Sequence, residues 1–230
     1  MQSELPKVMH LLHGKPLVEH VVENVRASGV VQKPVVVVSA KHHLVQDHLG
    51  DRADYVVQHE QLGTGHAVAV TEQLLKDTVD NVIVLYGDMP YLKPDSIARL
   101  LEEHTKQDAV LTVLTATTPD FEDWKQAFKT FGRIVRQGDG SIARIVEYKD
   151  ASQDELAIRE LSTCFFCFRA DWLWTHIKTL STDNAQSEYY LTDLVQMAID
   201  EGEHVASREI DIKEVVGINS REDLQIVEKL

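Results

Sequence analysis

The stretch that most restricts the fold is residues 81–90, Asn-Val-Ile-Val-Leu-Tyr-Gly-Asp-Met-Pro. Residues 82–85 are an unbroken apolar run, mostly β-branched, as in a strand covered on both faces within a parallel sheet. Gly87-Asp88 ends the run, and Pro90 prevents it from continuing as a central strand. In open α/β sheets, ligands gather outside the carboxyl ends of the strands, so Asp88 is delivered to the ligand edge. Two readings of Gly87-Asp88 stand side by side. One is a plain strand-to-loop turn. The other is a carboxylate with no bulk beside it, placed to hold a hard cation such as Mg²⁺ that itself binds phosphate oxygens.

The chain around this stretch alternates between the two periods. Gly14-Lys15-Pro16 introduces an amphipathic helix with Leu17, Val18, Val21, Val22 and Val25 apolar and Gly29 as its stop. Residues 34–38 predict a second buried strand, a polar helix covers 41–49, and residues 55–58 predict a short strand. Gly63-Thr64-Gly65-His66 then opens a helix to about Lys76. A helix starting at Pro94-Asp95 follows the focal strand, and residues 109–117 form the next strand. Strand and helix joined by short connections predict an α/β, Rossmann-like, doubly wound and mostly parallel sheet with right-handed crossovers. Beyond Thr118 the pattern becomes antiparallel. Residues 132–136 and 142–147 predict a hairpin around Gln137-Gly138-Asp139-Gly140. Residues 161–168, 205–210 and 214–218 predict strands, and 170–180, 190–200 and 221–230 predict helices. The second half is therefore expected to extend the first half's sheet within one domain, residues 1–230.

With 230 residues the chain is long enough for a sizeable core. Its net charge of -14, from 37 acidic and 23 basic residues, argues against general nucleic-acid binding. A nucleotide substrate remains open, since a few cations, backbone amides or a metal suffice. No signal peptide or spanning helix is visible, which predicts a cytoplasmic protein without membrane contact. The two cysteines, Cys164 and Cys167, lie in one apolar run with no second pair, so they read as core residues on opposite faces of a strand rather than zinc ligands. The 11 histidines are scattered and read as mostly surface residues.

Several stretches carry candidate chemistry. In Gln61-Leu62-Gly63-Thr64-Gly65-His66, glycines at a helix mouth admit a ligand to backbone N–H groups, or mark an ordinary loop-to-helix junction. Gln58, closing a strand, offers both a donor and an acceptor to a base edge, or is a surface amide. Lys7, fixed by Pro6, is a cation able to neutralise phosphate charge, or a solvated lysine. The polar run 184–193, Asn-Ala-Gln-Ser-Glu-Tyr-Tyr-Leu-Thr-Asp, suits hydrogen bonding to a sugar, or is a helix N-cap region. Val216-Gly217-Ile218-Asn219 again ends a short apolar segment in an oxygen donor.

In this order, the segments 5–10, 60–67, 86–88, 132–134, 146–150, 184–193 and 216–219 resemble the uridyltransferase domain of the bacterial GlmU family, across essentially the whole chain. These are N-acetylglucosamine-1-phosphate uridyltransferases, GT-A-like nucleotidyltransferases that make the cell-wall precursor UDP-N-acetylglucosamine. The resemblance implies that Gln58, Gly63 and Thr64 contact the nucleoside and Lys7 the phosphates. Lys7 and Asp88 are the implied catalytic pair, with Mg²⁺ held by Asp88 and Asn219. Tyr86, Gly87, Gly132, Glu147, Ser162 and Thr192 are the implied sugar side. The implied substrates are UTP and a sugar 1-phosphate, with pyrophosphate released.

The chain departs from the family at four places. The family opens with a strand and a loop of the form L-A-A-G-x-G-T-R-M, of which Met1 matches only the last residue. A domain without that strand and phosphate loop is expected, with the natural start upstream. Ser162 stands where the family has asparagine, in Glu160-Leu161-Ser162-Thr163-Cys164 against Glu-Ile-Asn-Thr-Gly. Residues 121–130 are longer than their family counterpart. Finally, no β-helix acetyltransferase domain follows Leu230, so a monomer is expected. The alternatives carried are a pyrophosphorylase for another sugar or nucleotide, and a catalytically silent nucleotide-binding domain.

Overall fold

A computed structural model describes residues 5–218 and Asp223. A short antiparallel pair, β1 (Leu11–Leu12) and β2 (Lys15–Pro16), leads into α1 (Leu17–Ala27). Next come β3 (Val35–Ser39), α2 (Leu44–Leu49), β4 (Asp54–Gln58), α3 (Thr64–Ala69), α4 (Glu72–Leu75) and β5 (Asn81–Val84). α5 (Pro94–Lys106) and β6 (Leu111–Thr117) precede the hairpin of β7 (Arg133–Arg136) and β8 (Ile142–Val146). The chain continues through α6 (Gln153–Leu156), β9 (Glu160–Arg169), α7 (Ala170–His176), α8 (Asp193–Asp200) and β10 (Val205–Glu209).

The α/β class and the layering of helices on a sheet hold. The mixture of strand directions comes from β9, which runs antiparallel through the centre of a six-stranded sheet of order β10-β6-β9-β7-β8. β6 lines one edge of β9, while β5 and β7 share the other, β5 against Phe166–Arg169 and β7 at Leu161. β6 and β10 are parallel, as are β3 and β4. β9 can occupy this position because it is apolar on both faces: Phe165, Phe166, Cys167 and Phe168 are all fully buried. Truncating any one of these phenylalanines to alanine removes about 3–5 kcal/mol of packing.

β3 and β4 form a ribbon of their own. Side chains, not a backbone ladder, join it to the rest. Val18 and Val22 of α1 pack with Val38, Val45 and Leu49, and Val8, Met9, Val36 and Val57 close the cluster. Among the described residues, no strand pairs with the second edge of β3 or of β5.

Some local expectations are corrected. The helix predicted from Gly63 to Lys76 breaks after Ala69, where Thr71 turns its hydroxyl onto the Val68 carbonyl at 2.7 Å. The strand predicted at 214–218 is a 3-10 turn, Ile212–Val215, fixed by the Asp211 carboxylate accepting from the Lys213 N–H. The helix predicted from Tyr190 starts only at Asp193, because the preceding backbone is bound elsewhere. The long segment before Gly132 is a 3-10 helix, Asp123–Thr130, anchored by the fully buried Phe128 between Trp124 and Phe131. The closing helix predicted over 221–230 lies outside the described residues apart from Asp223.

Candidate functional site

β5 ends at Val84, and the chain leaves the sheet through Leu85-Tyr86-Gly87-Asp88. Its exit is fixed by two backbone bonds, Met89 N–H to the Tyr86 carbonyl (3.3 Å) and Ile218 N–H to the Asp88 carbonyl (3.0 Å). The second bond brings residue 218 against Asp88; Asn219, expected as its companion ligand, lies outside the described residues. The Asp88 carboxylate forms an ion pair with the Lys7 ammonium, both groups partly open to solvent. The two residues assigned to phosphate chemistry therefore meet at the strand's carboxyl end. Gly87 leaves room for the segment that carries Lys7, since a Cβ there would lie 3.3 Å from Val8 Cγ1.

A second group of residues sits beside this pair. Thr64 bonds to the Tyr86 hydroxyl and accepts the Leu191 N–H at 3.1 Å. Thr192 donates its hydroxyl to Glu147 at 2.9 Å. Gly132 lies under Glu147, its missing Cβ 3.6 Å from Glu147 Oε2, and its carbonyl accepts the Ser162 N–H at 2.9 Å. Burial raises the Glu147 carboxyl above its ordinary range, opposed by the Thr192 hydrogen bond and reinforced by Asp193 and Asp150. Burial also pushes the Tyr86 phenol well up.

Three assignments change meaning. Gly63 and Gly65 are small to admit the protein's own chain. A Cβ on Gly63, which has φ +108°, would lie 2.8 Å from the Tyr189 N and O atoms, and one on Gly65 would lie 2.5 Å from Leu180 Cδ1. The loop is paired to Tyr189 through Tyr189 N–H to Leu62 O (2.9 Å) and Gly65 N–H to Tyr189 O (2.8 Å). Gln58 is held at the end of β4 by His66, their nitrogens 3.0 Å apart. Ser162 is fully buried and accepts the Cys164 N–H at 3.4 Å, so its hydroxyl serves the strand rather than a sugar.

The two cysteines lie on opposite faces of β9 as expected, Cys164 against the cluster of Phe166 and Phe168 and Cys167 in that of Phe165; what sequence reasoning missed is the backbone at Cys164. The pairing of β6 with β9 slips between Val113 and Thr115, leaving Thr163 and Cys164 in a bulge. Thr163 donates to the Leu114 carbonyl (2.6 Å) and accepts from Phe165 N–H (3.2 Å). Cys164 adopts φ +60°, a left-handed conformation costing a non-glycine residue about 1–2 kcal/mol. Its partly buried thiol packs against the core and sits beside Tyr86, Ser162 and Glu147. Burial and the Glu147 charge push it up to about 12. Consecutive Ser-Thr inside an apolar strand was the available signal. His104, fully buried against Thr112, likewise departs from the expectation of surface histidines.

A family profile described as "MobA-like NTP transferase domain" matches residues 1–183. The chain is 44% identical over 229 residues to the Bifunctional protein GlmU of Brevibacillus brevis, covering 99% of this chain and 48% of that protein. It is 41% identical over 231 residues to that of an Exiguobacterium species, covering 100% and 49%. The chain thus spans about half the length of the curated relatives it matches. Among solved structures it is similar to apo UDP-glucose pyrophosphorylase, with TM-score 0.74 and 15% identity over 98% of this chain and 89% of that one. It is also similar to CMP:2-keto-3-deoxy-manno-octonic acid synthetase complexed with CTP, with TM-score 0.71 and 17% identity over 100% and 93%. At these identities the structures speak for the fold alone.

Proposed function

The chain belongs to the MobA-like NTP transferase domain family and is a nucleotidyltransferase; from that premise we propose that it forms a UDP-sugar and pyrophosphate from UTP and a sugar 1-phosphate. The observation that carries this reading is the Lys7–Asp88 pair at the end of β5, with Thr64, Tyr86, Glu147 and Thr192 hydrogen-bonded beside it. One side of the site thus offers charge to phosphates, and the other offers hydroxyl and carboxyl hydrogen-bonding groups suited to sugar hydroxyls.

In the proposed reaction, a phosphate oxygen of the sugar 1-phosphate attacks the α-phosphorus of UTP in line. The new P–O bond forms as the bond to the β-phosphate oxygen breaks, and pyrophosphate leaves with that electron pair. Lys7 offsets the negative charge on the phosphates, while the loop at Thr64 and the Glu147–Thr192 pair hold the two substrates in line. Such a transfer needs no covalent enzyme intermediate, so positioning and electrostatics supply the rate.

The site fits Mg²⁺. Mg²⁺ is usually bound through one or two carboxylates plus substrate phosphates rather than an all-protein cage. Asp88 is a partly open carboxylate at a strand end, and the described residues contain no cluster of three His, Cys, Asp or Glu side chains. Asp88, with Asn219 as its proposed partner, would hold the ion; when bound, it neutralises phosphate charge.

N-acetylglucosamine 1-phosphate is the substrate implied by the resemblance in the motifs. A second reading, another sugar 1-phosphate, is favoured by Ser162, whose hydroxyl is used within β9, and by the Cys164 thiol beside Glu147. Pyrophosphate release measured over a panel of nucleoside triphosphates and sugar 1-phosphates, with and without Mg²⁺, tests both readings. Release with UTP and N-acetylglucosamine 1-phosphate is expected. A better rate with another sugar selects the second reading, and no release with any pair overturns both.

A further inference from the structure

The run 184–193 suits hydrogen bonding to a sugar, yet the Asn184 side chain is engaged within its own turn. Its Nδ2 donates to the Glu188 carbonyl at 2.6 Å, and its Oδ1 accepts the Gln186 and Glu188 N–H groups at 3.2 Å each. Ser187, at φ +54°, closes the turn by donating its N–H to the Asn184 carbonyl at 3.1 Å.

The chain leaving this turn is bound on two sides. Toward the nucleotide loop, Tyr189 pairs with Leu62 and Gly65 through its backbone, and the Leu191 N–H reaches Thr64 Oγ1. Toward the segment after β8, Thr192 bonds to Glu147, and Gln186 accepts from Lys149 Nζ at 2.7 Å. The one segment therefore bonds both to residues 62–65 and to residues 147–149, which belong to the two substrate sides of the proposed reaction.

We propose that Asn184 is a positioning residue: its side chain knots the 184–188 turn so that residues 189–192 hold the nucleotide loop and the Glu147 loop at a fixed separation. This rests on the function proposed above for its meaning in catalysis, but not for its geometry. Asn184 touches neither loop itself, so its effect passes through Tyr189, Leu191 and Thr192. Losing the knot should spoil alignment for both substrates together, whereas losing a single cross-link should affect one side.

The test compares Asn184→Ala, Asn184→Asp and Gln186→Ala in the full chain by hydrogen exchange and steady-state kinetics. Asn184→Ala is expected to speed exchange in peptides covering 60–67 and 144–151, outside the substituted turn. It should raise KM for both UTP and the sugar phosphate roughly tenfold, about the effect of one lost hydrogen bond on binding. Asn184→Asp keeps the two acceptor bonds and should recover much of the loss. Gln186→Ala removes the Lys149 link and the side-chain contact with Tyr190, leaves the Asn184 knot intact, and should act on residues 144–151 and on the sugar-phosphate KM alone. Should Asn184→Ala fail to fold, the other two variants carry the test. Exchange that speeds up only within 181–192, or KM values unchanged in every variant, overturns the proposal. Exchange needs no substrate, so a protein that releases no pyrophosphate at all refutes the proposed reaction while the exchange pattern still decides the positioning role.

Discussion

His104 lies on the last turn of α5, fully buried and 2.9 Å from the Thr112 hydroxyl through its Nδ1. Burial, with a smaller push from Arg169, lowers it from 6.5 to about 4. The folded protein therefore keeps it neutral where the unfolded chain would protonate it. Its contribution to stability is complete above pH 6.5 and is lost as pH falls toward 4, with a slope of at most about 1.4 kcal/mol per pH unit. Urea unfolding across this range should show that slope, and His104→Gln, which keeps a polar group opposite Thr112, should flatten it; an unchanged slope would assign the acid sensitivity elsewhere. Asp88 is a residue-scale question of a different kind. It stands at a partly open strand end and not in the core, so Asp88→Ala should leave the unfolding midpoint near that of the parent. Mg²⁺-dependent turnover should drop by at least ~100-fold. Near-parental turnover would remove Asp88 from the chemistry. Asn219→Ala, acting on the same ion, should add little to that loss.

At the scale of the element, two glycines of the site separate by their surroundings. Gly63 combines φ +108° with a Tyr189 backbone 2.8 Å from where its Cβ would stand, and backbone, unlike the end of a flexible side chain, yields only with its paired segment. Gly63→Ala should cost about 2–4 kcal/mol in unfolding free energy, through strain and displacement of the paired segment. Gly87 has no left-handed φ, and its nearest neighbour is a side-chain methyl of Val8 at 3.3 Å, so Gly87→Ala should cost less than about 1.5 kcal/mol. Equal midpoints for the two variants in denaturant titrations would contradict this account. The helix after the 184–192 segment, α8, starts late for a related reason. The polar groups that might have extended α8 upstream, on Tyr189 and Leu191, are spent on the loop before α3.

At the scale of the molecule, the two sheets differ in what secures them. β6 and β9 are paired on both sides over buried apolar faces, whereas among the described residues β3 and β4 pair only with each other and join the body through the valine cluster under α1. Opening of the β3–β4 ribbon breaks one short ladder and exposes a small cluster; opening of β9 breaks the main sheet. Native-state hydrogen exchange should therefore show amides of residues 35–38 and 55–57 exchanging through a sub-global opening, at lower free energy than those of 112–113 and 165–168. Equal protection of the two groups would mean that the ribbon and the sheet unfold as one unit. The same division bears on function, because Lys7 and Asp88 meet between the ribbon and the sheet, where side-chain packing and not a ladder holds the parts together.

Local patterns in the sequence determined what depends on near neighbours. The apolar run ending in Gly-Asp placed Asp88 at a strand's ligand edge, the alternation of periods established the α/β class, and Gln137–Gly140 marked the hairpin turn. The meeting of Lys7 with Asp88, and of Glu147 with Thr192, came from matching an order of motifs; distance along the chain does not reveal either pair. Only the tertiary structure decided that β9 enters the sheet between β5 and β6, because an apolar run reads alike for a parallel or an antiparallel partner. It alone showed that Gly63 and Gly65 make room for Tyr189 and Leu180, since a glycine records that space is needed and not what fills it. The bulge that puts Cys164 in a left-handed conformation was equally hidden, because alternation gives the face its side chain packs on but not a slip in the register with β6.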